Sequence, residues 1–130
     1  MKIGRYILAL ALTATALAAV PAVAAAAAEA HAGQPAYDST SLELVGSGGY
    51  RTDARHSQLR VTVCLRKRFG SVSFTVRCST TTGSGRRVKG SVSVPGCVKG
   101  VWRTTVTGEA LARDGNWTDQ ASAVSRRFRC

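Results

Sequence analysis

Four cysteines, Cys64, Cys78, Cys97 and Cys130, constrain the fold of this chain more than any other feature. They are separated by 13, 18 and 32 residues. An even number of cysteines in a short exported chain predicts two disulfides. A four-thiolate zinc site is the minor alternative, because such sites usually contain close pairs of the C-x2-C type. The chain is therefore expected to form a small domain held by two crosslinks.

The N-terminus predicts export. Lys2 and Arg5 precede an uncharged stretch over residues 7–20, and Pro21 and a series of alanines follow it. A basic start, an apolar run and a small-residue exit are typical of a secretory signal peptide. The apolar run has 14 residues, whereas a membrane span needs about 20. We therefore predict a signal peptide over residues 1–28, cleavage within 24–32, and a secreted, extracellular protein without a transmembrane segment.

The mature part is predicted to be one domain. Residues 29–49 are low in complexity and contain the cluster Gly46-Ser47-Gly48-Gly49. Such glycine-rich sequence is typical of loops. We expect a flexible lead-in there, with one possible short strand over residues 41–45, and a disulfide-bonded β domain over residues 50–130.

Apolar residues occupy alternate positions along most of the β domain. The alternation covers residues 58–66, 71–78, 88–94, 101–112 and 117–128, and no segment has a convincing helical period. This pattern predicts an all-β fold, a small antiparallel β-sandwich of about six strands that is loosely immunoglobulin-like. A small open barrel is the main alternative. The residues expected to be buried are Val63, Leu65, Phe74, Val76, Val92, Trp102 and Val106.

The last hairpin predicts a strand register. Asp114-Gly115 is a strong signal for a two-residue type I′ turn. Counting outward from this turn places Gly108 opposite Ala121 and Lys99 opposite Cys130. Cys97 would then lie two residues beyond the ladder, and the Pro95-Gly96 turn would have to bring it within the roughly 7 Å of Cys130 that a disulfide requires. We therefore predict a Cys97–Cys130 bridge, and Cys64–Cys78 follows by elimination.

The first hairpin conflicts with the second bridge. A regular two-residue turn at Phe69-Gly70 would pair Leu65 with Phe74 and place Cys64 and Cys78 on opposite faces of the sheet. The Cys64–Cys78 bridge therefore requires a β-bulge or a broken strand end.

Catalytic, metal and cofactor sites lack the residues that they need. His56 is the only histidine beyond the cleavage region, and its proximity in sequence to Asp53 does not make a catalytic triad. The predicted register places Glu109 and Asp119 on opposite faces, although a glycosidase pair would need both in one cleft. We therefore predict that the protein is not an enzyme and has no cofactor.

The positive charge indicates what the domain binds. The net charge is +11, and the segment from Gly33 onward has 16 lysines and arginines, of which 13 are arginine, against six acids. Arginine pairs well with carboxylates and phosphates. The leading hypothesis is a non-catalytic binding domain for an anionic envelope polymer or an acidic protein. Solubility and genomic base composition explain the charge equally well, and the few aromatic residues do not support specific nucleic-acid binding. The candidate anion-binding residues are Arg60, Arg66, Lys67, Arg68 and Arg77.

A protease inhibitor is the alternative function. Small secreted inhibitors often present a rigid loop beside a disulfide, since rigidity lowers the entropic cost of binding. Lys99 is the best candidate for the basic residue of such a loop, because it lies close to the predicted Cys97–Cys130 bridge.

The spacing of cysteines and aromatic residues also carries a resemblance. The relevant features are Val63-Cys64-Leu65, a strand ending at Cys78, Cys97, residues 100–104 and a closing Cys130. In these features the chain resembles small two-disulfide secreted proteins of high-GC Gram-positive bacteria. The resemblance covers roughly the last 70 residues. It implies the fold, the export and the cysteine pairing, and it implies no activity.

Overall fold

The computed structural model describes residues 28–130, which form six antiparallel β-strands and, within that range, no helix. Both predicted disulfides are present, so the prediction of an all-β fold with two crosslinks is confirmed. The signal-peptide prediction lies almost entirely on residues 1–27, outside the described part. The strands are β1 (Ala28–Asp38), β2 (Glu43–Phe69), β3 (Val72–Pro95), β4 (Val101–Leu111), β5 (Trp117–Val124) and β6 (Phe128–Arg129).

The 27-residue strand β2 organises the sheet. Along one edge it pairs with β1 up to Thr52 and with β4 from Leu59 onward, and along the other edge it pairs with β3. Its pairing with β3 shifts register between Arg51 and Leu59, as expected where two paired strands bend together. β5 and β6 both pair with β4.

The bend folds the sheet onto itself in two layers. β1 packs against β4 and β5 without belonging to the same ladder as either strand. The layers approach closely at two glycines. A Cβ atom at Gly48 would lie 2.2 Å from a Val106 methyl carbon, and one at Gly108 would lie 2.2 Å from the Tyr50 ring. Only hydrogen therefore fits at these two positions.

The buried core lies between these layers. Five of the seven residues predicted to be buried belong to it, but Phe74 and Val76 are 45% and 42% exposed. They lie in the part of β3 next to the hairpin turn, where no described strand packs over them, so the prediction is wrong at both positions. The core residues are Leu44, Tyr50, Leu59, Val61, Val63, Leu65, Val88, Val92, Val94, Trp102, Val106 and Ala110.

The prediction of a flexible lead-in also needs correction. The structure places residues 28–38 in β1 and residues 43–49 in β2, so the segment forms two strands of the sheet. Gly46 and Gly48 are both buried, and Gly48 occupies the close contact with Val106. The glycine cluster therefore reflects the tight packing of the two layers and not a loop.

The β2–β3 hairpin contains the bulge that its disulfide requires. Phe69 pairs with Val72, so the turn residues are Gly70 and Ser71, one position later than predicted. The register then shifts between Leu65 and Arg66, which leaves Val76 as the extra residue. This single-residue bulge brings Cys64 directly opposite Cys78, with their Cα atoms 4.0 Å apart.

The β4–β5 hairpin keeps the predicted register only in its middle. Gly108 pairs with Ala121 as expected, but a shift follows at Ala110, which pairs with Thr118. At the other end Cys130 exchanges backbone hydrogen bonds with Gly100 and not with Lys99. The pairing therefore differs from the predicted register at both ends of the ladder.

The turn of this hairpin is not type I′. The Gly115 amide donates to the Ala112 carbonyl, so Arg113 and Asp114 are the central residues. Only Gly115 has a positive φ, of 86°, whereas a type I′ turn requires positive φ at both central residues. The Asp114 carboxylate accepts hydrogen bonds from the Asn116 amide and side chain, and these bonds lower its pKa.

Candidate anion-binding face

The structure separates the five basic residues that the sequence grouped together. Arg60 is engaged within the fold: its guanidinium donates to the Glu109 carboxylate at 2.7 Å and stacks 3.9 Å above the Trp117 ring. Arg77 donates to the Ser93 carbonyl at 3.2 Å. Arg60 is thus paired with a carboxylate. Arg77 is opposite Leu65 in the β2–β3 ladder and so lies on the other face of the sheet from Arg66. Both are therefore poor candidates for ligand contact.

Lys67 lies on the opposite face of β2 from Arg66 and Arg68, because side chains alternate along a strand. Its ammonium nitrogen is 5.7 Å from the centre of the Trp102 ring and 5.9 Å from that of Phe69. A lysine held over two aromatic rings supports packing at the end of the hairpin, and it does not join the two arginines.

Arg66 and Arg68 instead lie beside two arginines from later strands. Together with Arg103 on β4 and Arg127, which precedes β6, they surround a shallow cavity of about 370 Å³. We call this set of four residues the arginine face. Ser71 and Ser73 add hydroxyl groups to the cavity, and no aspartate or glutamate lines it.

The arginine face contains an unfavourable charge arrangement. Arg66 is directly opposite Arg103 in the β2–β4 ladder, and like charges in this position destabilise a sheet. Arg51 pairs with Glu29 and Arg60 with Glu109, whereas no carboxylate among residues 28–130 lines the cavity of the arginine face. The repulsion is therefore not relieved by a neighbouring carboxylate, and a bound anion would relieve it.

Sequence reasoning identified half of the arginine face. Arg66 and Arg68 lie in the visible cluster at the hairpin tip, whereas Arg103 and Arg127 are 37 and 61 residues from Arg66 in sequence. Only the pairing of β2 with β4 brings them together. Of these two residues, only Arg103 could have been assigned to the outer face from sequence. The alternation along β4 places its side chain on the face opposite the buried residues.

A second basic region lines a cavity of about 480 Å³ at the other end of the molecule. Arg51, Arg87 and Lys89 line it, but so does Glu29. Glu29 is opposite Arg51 in the β1–β2 ladder and forms an ion pair with it. This region therefore has its own counter-charge, unlike the arginine face.

The loop that carries Lys99 is held at several points. Cys97 is bonded to Cys130, the Trp102 indole nitrogen donates to the Val98 carbonyl at 2.9 Å, and the Gly96 amide donates to the Leu42 carbonyl at 2.8 Å. Val98 and Lys99 remain exposed. The structure thus presents a basic residue on a short, anchored loop.

The polar groups near the bend are used for packing. Nδ1 of His56 lies 3.4 Å from the Leu111 carbonyl oxygen, and Nε2 lies 3.9 Å from the Asp119 carboxylate. The Tyr50 hydroxyl donates to the Asp119 carbonyl at 2.5 Å. Burial, followed by the charges of Asp119 and Glu109, raises the pKa of Tyr50 to about 12, so the phenol keeps its proton near neutral pH. These contacts join the bend of β2 to the β4–β5 hairpin.

The described part of the chain contains no cluster of three or more histidine, cysteine or acidic side chains suited to a metal ion. It also contains no helix long and apolar enough to cross a membrane.

Neither a known protein-family model nor a curated protein sequence matches this chain. The class of the protein therefore follows from its structure alone. It is a small all-β domain with two disulfides, and one outer face of its folded sheet carries four arginines without acidic neighbours.

Proposed function

We propose that this protein is a secreted, non-catalytic binding module whose arginine face holds an anionic polymer of the cell envelope. The observation that carries this proposal is the Arg66–Arg103 pair, two like charges opposite each other in a cavity without a carboxylate. Two disulfides are also typical of proteins that function in an oxidising compartment. The proposed site is formed by Arg66, Arg68, Arg103 and Arg127.

The geometry of the arginine face suits phosphate or similar oxyanions. Facing side chains on adjacent strands lie about 5 Å apart, so guanidinium groups from β2 and β4 can approach one anionic group from two sides. Each guanidinium has several donors in a planar fork that matches such a group. Ser71 and Ser73 supply additional donors at the rim of the cavity.

A charge-neutralising variant tests this proposal. We expect Arg66→Gln/Arg103→Gln to bind long-chain polyphosphate at least tenfold more weakly at low salt. The slope of log affinity against log salt concentration should fall by about two, because two phosphate contacts are lost. Isothermal titration calorimetry over a series of salt concentrations measures both quantities.

The matched control removes the same charge elsewhere. Arg86→Gln/Arg113→Gln neutralises two exposed arginines outside the arginine face, and it should keep most of the affinity and most of the salt slope. Equal weakening by both double variants would contradict the proposal, since net charge alone would then explain binding.

Protease inhibition is the second candidate function, and the anchored loop from Gly96 to Gly100 supports it. An inhibitor needs a loop that stays in place in the enzyme's cleft, and the contacts of Cys97, Val98 and Gly96 restrain this one. If it inhibits, the oxidised protein should block a trypsin-type protease, and Lys99→Ala should reduce inhibition at least a hundredfold. Rapid cleavage after Lys99 in the wild-type protein would rule out the loop as an inhibitor.

A further inference from the structure

Strand β3 has an open edge along its whole length. Among residues 28–130 it pairs only with β2, so its other edge has no partner strand. Proteins usually protect such edges with charged side chains, proline or very short strands. Residues 72–82 contain one charged residue, Arg77, and no proline. This segment is therefore well suited to accept another strand.

The direction of the free hydrogen-bonding groups follows from the disulfide pair. The Cα atoms of Cys64 and Cys78 are 4.0 Å apart, which is typical of a non-hydrogen-bonded antiparallel pair, in which the backbone groups point away from the partner strand. The register continues without a shift through Thr80 and Thr82. The amides of these two residues and of Cys78 therefore point outward, toward the open edge.

Exposed apolar side chains lie beside this edge. Phe69 is opposite Val72, and Phe74 follows two residues later on the same face. Phe69, Val72 and Phe74 are 68%, 61% and 45% exposed, and Val76 at the bulge is 42% exposed. Exposed apolar side chains grouped in this way on the surface of a small domain are typical of interaction sites.

The other face of the same hairpin is basic. Ser73 and Thr75 are opposite Arg68 and Arg66 on β2. A strand added to β3 would lie two strand spacings, about 10 Å, from β2. An arginine side chain on β2 and a glutamate side chain on the added strand are together long enough to meet across this distance. Only the small side chains of Ser73 and Thr75 lie between them on β3. Acidic residues on this face of an added strand would therefore meet two arginines.

We propose that β3 binds an extended segment of a partner protein in which acidic and apolar residues alternate. Its backbone would pair with residues 72–82, its apolar side chains would cover Val72 and Phe74, and its acidic side chains would face Arg66 and Arg68. Strand addition of this type takes affinity from main-chain hydrogen bonds and specificity from alternate side chains. A second copy of the chain is disfavoured at this edge, because each copy has a net charge of about +10 from Gly33 onward.

A synthetic, fluorescently labelled peptide of eleven alternating glutamate and valine residues, long enough to pair with residues 72–82, tests the proposal with the oxidised chain. Binding, followed by fluorescence anisotropy, should slow hydrogen exchange at the amides of Cys78, Thr80 and Thr82, as measured by NMR. The same peptide methylated at every backbone nitrogen keeps its charges but cannot pair as a strand, and it should bind at least tenfold more weakly. Equal binding of both peptides would overturn the proposal.

A protein variant provides the complementary test. Thr80→Pro removes an outward amide and places a ring at the edge, which edge strands tolerate because no ladder bond is lost. Its control is Thr80→Ala, since both lose the hydrogen bond between the Thr62 and Thr80 hydroxyls. Thr80→Pro should weaken peptide binding at least tenfold relative to Thr80→Ala and leave polyphosphate binding unchanged. Unchanged peptide binding by a folded Thr80→Pro, or concentration-dependent protection of the edge amides without peptide, would overturn the proposal.

Discussion

Replacing Cys97 and Cys130 together by serine should lower the free energy of unfolding by about 4 kcal/mol. The sulfurs join residues 33 apart in sequence, and the chain-entropy model gives about this value for a loop of that length. Both cysteines pack against the hydrophobic core, and the bridge also holds the loop that precedes β4. Denaturation in guanidinium chloride, followed by tryptophan fluorescence, measures the change.

The matched control is the other disulfide. Cys64→Ser/Cys78→Ser opens a loop of 14 residues, for which the same model gives about 3 kcal/mol, and Cys78 is exposed. We therefore expect removal of the Cys97–Cys130 bridge to lower the free energy of unfolding more than removal of Cys64–Cys78. A larger loss from removing Cys64–Cys78 would contradict this ranking and would indicate that the hairpin depends on its crosslink.

Gly108→Ala should destabilise the protein by about 3 kcal/mol or more. The added methyl group would lie 2.2 Å from ring carbons of Tyr50, and Tyr50 is a buried core residue held by its bond to the Asp119 carbonyl. Overpacking a tight core costs about 1–3 kcal/mol and sometimes more. Here the ring is buried and its hydroxyl is hydrogen-bonded, so it has little room to move and the upper end of that range applies. Thermal and chemical denaturation measure the loss.

Two further variants test the cause. Gly83→Ala places its methyl group 3.3 Å from a Val88 methyl carbon, and we expect it to change stability by less than about 1 kcal/mol. Tyr50→Ala removes the ring that Gly108→Ala would strike, so the double variant should lose less stability than the sum of the two single variants. Strict additivity would show that the two residues do not clash.

The two proposed interactions use different parts of the same hairpin. The arginine face depends on side chains from β2, β4 and the segment before β6, whereas strand addition depends on the backbone of β3. Arg66 and Arg68 serve both. A partner protein and an envelope polymer would therefore compete for these two residues. Thr80→Pro, which keeps all four arginines, and the single change Arg103→Gln, which leaves Arg66, Arg68 and the β3 edge intact, separate the two interactions.

Several features of the fold were determined by local sequence. The alternation of apolar residues predicted strands because side chains of a strand alternate between its faces, and the cysteine count predicted two bridges. The core positions Val63, Leu65, Trp102 and Val106 follow from the same alternation. The Arg66 and Arg68 half of the arginine face was visible as a cluster of charges at one hairpin tip.

Other features were decided by the tertiary structure. A β-bulge at Val76 aligns Cys64 with Cys78. Apolar residues alternate through this segment as they do in a regular strand, so the alternation alone does not reveal the bulge. Phe74 fits the apolar pattern but is exposed, since burial depends on whether another strand covers that part of β3. Arg103 joins Arg66 only through the β2–β4 ladder. Alternation along a strand is a local property, whereas register shifts, the bend of β2 and the covering of each face depend on contacts between residues far apart in sequence.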